Sequence, residues 1–99
     1  ITIAEYMNKA YLEEKNPETK DLILKYLIDF KSMTLQMNWK AQKNEELWKR
    51  SYNAYSKLKG LSFSDYFSNK YSKNLKKMDL FISLPTGLGF KLFKYRYER

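Results

Sequence analysis

The stretch from Pro17 to Met37 constrains this chain most, because it is apolar around more of a helical cylinder than one neighbour can cover. Leu22, Tyr26, Phe30, Met33 and Met37 recur along one stripe, with Ile23, Leu27 and Thr34 beside it. Leu24, Ile28 and Leu35 extend the apolar area further round. Such a helix is contacted on several sides, so this segment is expected to be the central element of an all-α fold.

Its start is well marked. Asn16 suits an N-cap, Pro17 occupies the first turn where its missing N–H costs nothing, and Glu18 favours the positive helix end. Before it, Thr2 and Glu5 form a capping-box pattern ahead of Ile3, Met7 and Ala10, widened by Tyr6 and Tyr11. That first helix is expected to end near Lys15. Beyond Trp39 the pattern turns polar, and Asn44-Glu45-Glu46 reads as another cap. Periodicity leaves open whether residues 17–59 are one helix or two. Leu47, Trp48, Tyr52, Tyr55 and Leu58 fill one face, with Gly60 as a C-terminal stop.

Ser62 and Asp65 read as a capping box for a further helix. Phe63, Phe67, Tyr71, Leu75, Met78 and Ile82 follow at steps of four or three, predicting a continuous helix over 62–82. Pro85-Thr86-Gly87-Leu88-Gly89 breaks it and leaves a tail from Phe90 to Arg99. The tail fits a short helix or a strand, and a helix is the preferred reading. The expected architecture is a bundle of about four helices over residues 1–84, with a short basic aromatic C-terminal tail over 85–99.

Composition removes whole classes of chemistry. The chain has 99 residues, enough for one domain, and 43% hydrophobic and 17% aromatic content argues for a folded core rather than disorder. It holds no cysteine and no histidine. Disulfides and thiolate chemistry are thereby excluded, and the commonest general base and metal ligand are missing. The lack of cysteine fits a reducing cytoplasm. Glu13-Glu14 and Glu45-Glu46 are adjacent pairs, and adjacent helical side chains diverge, so solvation and dipole compensation are their expected roles. Gly87-Leu88-Gly89 lacks the third glycine and the Lys-Ser/Thr of a phosphate loop. No catalytic, cofactor or metal site is expected. The chain opens on Ile1-Thr2-Ile3 without methionine, which suggests a processed terminus or a segment of a longer protein.

Charge is unevenly placed. Residues 1–39 carry five lysines and six acids, a net −1, whereas residues 40–99 carry fourteen Lys or Arg and five acids, a net +9. A basic second part facing something anionic is one reading, and default solvation by lysine is the other. Lys70, Lys73, Lys76 and Lys77 could meet phosphates, and Gly60 between two predicted helices gives a likeness to a helix-turn-helix with 62–82 as recognition helix. Against it, that helix offers no arginine for guanine. In the tail, Phe90 and Phe93 interleave with Lys91, Lys94, Arg96 and Arg99, the character of a membrane-surface segment. The alternative is that these aromatics pack back on the helices.

The closing run Leu84-Pro85-Thr86-Gly87-Leu88-Gly89-Phe90-Lys91-Leu92-Phe93-Lys94-Tyr95-Arg96-Tyr97 resembles the ends of bacterial family-two glycosyltransferases that build capsule and surface polysaccharides. The resemblance covers about the last forty residues. It implies a non-catalytic C-terminal helical domain that places a parent enzyme near the membrane or a lipid-linked acceptor, at the cytoplasmic face. The nucleotide-sugar-binding α/β domain of that family has no counterpart here, so no functional residue carries over. Two other functions stay open: a nucleic-acid-binding helical module, and a helical domain that docks on another protein through exposed Trp and Tyr.

Overall fold

The computed structural model describes the backbone of residues 2–97 and the side chains of residues 3–96. Within them lie five α-helices: α1 (Thr2–Glu13), α2 (Pro17–Gln42), α3 (Glu45–Ser56), α4 (Lys73–Ser83) and α5 (Thr86–Tyr97). A single 3-10 turn, Ser64–Phe67, sits between α3 and α4, and no strand occurs among the described residues. The all-α expectation holds. Thr2 of the first capping box has its side chain outside the described residues, as do Glu98 and Arg99 entirely.

The capping signals formed where the chain needed them. Asn16 adopts an extended conformation and accepts the Thr19 N–H at 3.1 Å, opening α2. At the other end Lys43 takes a left-handed conformation (φ 50°, ψ 35°), and its N–H donates to the Trp39 carbonyl. Asn44 then accepts the Leu47 N–H at 3.0 Å and starts α3. Residues 17–59 therefore hold two helices. The hinge is a lysine bearing the strain a glycine would avoid.

Helix α2 is the central element, packing against α1, α3 and α4. At 26 residues it runs about 39 Å, which accounts for the 40 Å long dimension of the molecule. Its orientation differs from its most regular stripe. Leu24, Leu27, Ile28, Lys31, Ser32, Leu35 and Trp39 face inward, while Leu22, Tyr26, Met33 and Met37 are about half exposed or more. Lys31 and Ser32 interrupt the inward face, so the true core side looks less apolar than the outer one.

The predicted helix over 62–82 is broken. Asp65 accepts the Ser62 N–H at 2.9 Å, half of the expected capping box, but this supports only the 3-10 turn. Local bonds then compete with helix through 68–72: the Lys70 N–H donates to Ser68 Oγ at 3.0 Å, and Ser72 caps α4 by accepting the Leu75 N–H at 3.1 Å. Phe63 and Phe67 consequently point outward, 82% and 78% exposed. Only the later members of that stripe, Tyr71, Leu75 and Ile82, are buried.

The tail is helical, the preferred reading, but the helix starts earlier than Phe90. Pro85 ends α4, but Thr86-Gly87-Leu88-Gly89 begins α5 rather than forming a loop. Phe90 and Phe93 belong to the main core, beside Ala4, Leu27, Leu35, Trp39, Trp48, Tyr52, Tyr55 and Ile82. Residues 86–97 are thus continuous with the bundle. Gly89 makes this possible, since a Cβ there would stand 2.5 Å from Tyr52 Cζ. Its role is close helix packing, not a turn. A second cluster joins Leu24, Ile28, Tyr71 and Leu75, with Tyr11, Leu61 and Met78 against it.

Candidate functional site

Two groupings of polar chemistry stand out. The first is closed. Lys31, 2% exposed, donates from Nζ to the Lys59 carbonyl at 2.8 Å. Asp79, 4% exposed on α4, accepts the Leu61 N–H at 3.2 Å and the Tyr66 hydroxyl. Burial pushes the Lys31 ammonium down to about 8, with the Asp79 carboxylate pulling the other way. Burial, reinforced by Asp79, raises the Tyr66 phenol. Gly60 admits this carboxylate, because a Cβ at Gly60 would lie 2.5 Å from Asp79 Oδ1. The group ties residues 59–66 to α2 and α4. Lys31 and Asp79 are covered, and Tyr66 is partly buried.

Tyr52 does similar work at the end of α4. Its hydroxyl hydrogen is shared between the Phe81 carbonyl and the Leu84 carbonyl, the latter at 2.8 Å. The carbonyls at a helix C-terminus lack the usual partner four residues on; the Phe81 carbonyl also accepts the Leu84 N–H at 3.3 Å, and Tyr52 reaches both Phe81 and Leu84. Burial pushes the Tyr52 phenol up to about 12.

The second grouping is open. On α5, Phe90 and Phe93 turn inward onto the two tryptophans: Trp48 lies 5.2 Å from Phe90 and 4.8 Å from Phe93, between ring centroids. The expectation that these two phenylalanines contact a membrane is therefore corrected, because they are 6% and 2% exposed. The helical period puts other residues outside. Leu88, Leu92 and Tyr95 are 48%, 45% and 70% exposed, and Lys91, Lys94 and Arg96 are exposed alongside them. Lys94 Nζ sits 5.8 Å from the Phe90 ring centre, over its aromatic face. Arg99 lies outside the described residues. The outer face of α5 is thus apolar in the middle and basic along its edges.

A groove of about 500 Å³ opens next to this face. Met78, Phe81, Leu92 and Phe93 line its apolar part, and Lys77, Arg96, Asn74 and Gln36 are among its polar residues. It exists because α4 and α5 are joined at Pro85 while α5 packs chiefly on α3, leaving the far ends of the two helices apart.

The lysines proposed for nucleic acid are not one surface of equivalent groups. Lys70 pairs with Asp21 at 3.0 Å, and this contact is the main cause lowering the Asp21 carboxyl. Lys76 donates to the Ser68 carbonyl at 2.7 Å. Lys73 and Lys77 are exposed on α4. The helix-turn-helix likeness fails, since its recognition helix is interrupted at 68–72. Of the paired glutamates, Glu13 lies 4.0 Å from Lys9, Glu45 lies 2.8 Å from Lys49, and Glu14 accepts the Lys15 and Asn16 N–H groups. No acidic cluster able to hold a metal ion occurs among the described residues. No described helix is long and apolar enough to cross a membrane.

Sequence reasoning missed the groove and the closed Lys31–Asp79 group, both of which depend on residues far apart in the chain. Leu88, Leu92 and Tyr95 were within reach, since they share a helical face once α5 is extended back to Thr86. No family model, curated protein or solved structure matches the chain.

Proposed function

We propose that this chain is a non-catalytic helical domain that rests on an anionic membrane surface through the outer face of α5. The observation that carries this reading is the combination of exposed Leu88, Leu92 and Tyr95 with Lys91, Lys94 and Arg96 on one short, firmly packed helix. A basic residue near an anionic leaflet contributes about 1 kcal/mol, so three contribute about 3. Covering the exposed halves of two leucines adds about 1 kcal/mol each. The sum of about 5 kcal/mol corresponds to a dissociation constant of a few tenths of a millimolar, a reversible attachment. In the setting implied by the glycosyltransferase resemblance, this face would hold the parent enzyme against the leaflet carrying its acceptor.

Co-sedimentation with vesicles tests the proposal. Vesicles containing phosphatidylglycerol should retain the protein, and neutral phosphatidylcholine vesicles should not. Lys91→Glu with Lys94→Glu should abolish retention, and equal indifference to both vesicles overturns the reading. The coding sequence upstream of Ile1 tests the setting separately: an α/β domain with an acidic metal motif supports it, and an immediate start codon refutes it.

A second reading, docking on another protein, is favoured by the outer stripe of α2, where Leu22, Tyr26, Met33 and Met37 are all about half exposed or more. A Met33→Glu substitution that leaves every association of the protein unchanged would remove it.

A further inference from the structure

We infer that two copies of this chain pair through the outer stripe of α2, lying antiparallel about a two-fold axis between Asp29 and Phe30. This pairing deepens the second reading above and rests on it, with a second copy as the docked protein.

The stripe can meet its own image. Leu22, Tyr26, Phe30, Met33 and Met37 follow at steps of four, four, three and four, so the apolar line runs nearly along the helix axis. Phe30 is half-buried, and the other four are about half exposed or more. Glu18 stands one turn before the first of them and Lys40 one turn after the last, both exposed. Neither makes an ion pair among the described residues. Turning one helix end over end about the point between residues 29 and 30 sets Leu22 opposite Met37, Tyr26 opposite Met33 and Glu18 opposite Lys40, each twice. A two-fold contact requires a patch of this kind, complementary to its rotated copy.

Parallel pairing would set Glu18 on Glu18 and Lys40 on Lys40, and would align the two helix dipoles. An unrelated partner would need no such symmetry in the stripe. The positive excess of the chain does not oppose the approach, because residues 1–39 carry a net −1. Lys25 and Asp29, one turn apart on the flank, bring both signs to the axis. The line from Glu18 to Lys40 is about 33 Å long but only one helix wide, a contact for a reversible pair rather than an obligate one.

Sedimentation equilibrium of the whole chain, from a few micromolar to a few hundred micromolar and without lipid, tests the pairing. A dimer with a dissociation constant of roughly 10–100 µM is expected, and Met33→Glu should weaken it at least tenfold. Orientation has its own readout, since the chain holds no cysteine of its own. Leu22→Cys and Met37→Cys variants, mixed and mildly oxidised, should cross-link to each other, and neither should cross-link to itself. A chain that stays monomeric throughout, an unweakened Met33→Glu variant, mixed variants that fail to join, or a variant that joins itself each overturns the inference. Monomeric behaviour combined with loss of a different protein's binding in Met33→Glu defeats the pairing and keeps the second reading. A Met33→Glu variant that changes no association at all defeats both.

Discussion

Raising the pH from 7 to 9.5 should stabilise this protein, because Lys31 is buried with its ammonium group pushed down to about 8 from an ordinary 10.5. Between these values the unfolded chain holds a proton that the folded chain has released, so the free energy of unfolding rises with pH. For one such lysine the gain from pH 7 to pH 9.5 is about 2 kcal/mol, and about 3 kcal/mol once both states are deprotonated. The tyrosines set the upper edge of the window. Tyr52, Tyr66 and Tyr71 have phenols raised above 10 by burial, and Asp79 and Asp21 reinforce the last two. Folded tyrosines keep their protons where unfolded ones lose them, so stability falls again above about pH 10. Urea denaturation at half-unit pH steps should show a maximum between pH 9 and 10. Lys31→Met should remove the rise while keeping the fall. A wild-type profile flat from pH 7 to 9.5, or a rise that survives Lys31→Met, would refute the assignment.

Three further outcomes follow from packing. Gly89→Ala should destabilise by about 1–3 kcal/mol, because its Cβ would press on the Tyr52 ring, whereas Gly87→Ala, with nothing within 4 Å, should stabilise by about 0.5–1 kcal/mol; thermal melts of the two variants should move in opposite directions. Tyr52→Phe should cost about 1–3 kcal/mol in urea denaturation by removing the hydroxyl from the Leu84 carbonyl, while the Phe81 carbonyl keeps the Leu84 N–H. Phe67→Ser should change the melting temperature little, since the ring is 78% exposed, and a large loss would mean that the ring is covered in solution.

Helix boundaries were legible wherever a side chain satisfies the backbone nearby. Asn16 and Asn44 are one-residue signals with a local partner three positions on, and both cap helices. Orientation was not legible for α2, where Lys31 disguises the inner face. Its compensation comes from the Lys59 carbonyl and from Asp79 on α4, partners that local pattern does not join to it. The 62–82 stripe misled for a different reason. Its apolar spacing is regular, yet Ser68 and Ser72 offer the backbone competing bonds, and Phe63 and Phe67 meet each other while remaining 82% and 78% exposed, so little burial rewards a longer helix. Glycine was read as a breaker at 87 and 89, but in α5 the smaller residue is favoured by crowding from Tyr52. The basic aromatic character of α5 was visible. Which of its aromatics face out followed only from the start of the helix at Thr86.

The Gly89–Tyr52 contact also changes what α5 can be. A helix seated that deeply is no swinging arm, and cutting it away would strip cover from Trp39 and Trp48, so truncation would report on collapse rather than on adhesion. Because its bearing is fixed, Lys91, Lys94 and Arg96 would meet any partner of this face already aligned, with little backbone freedom to surrender on contact.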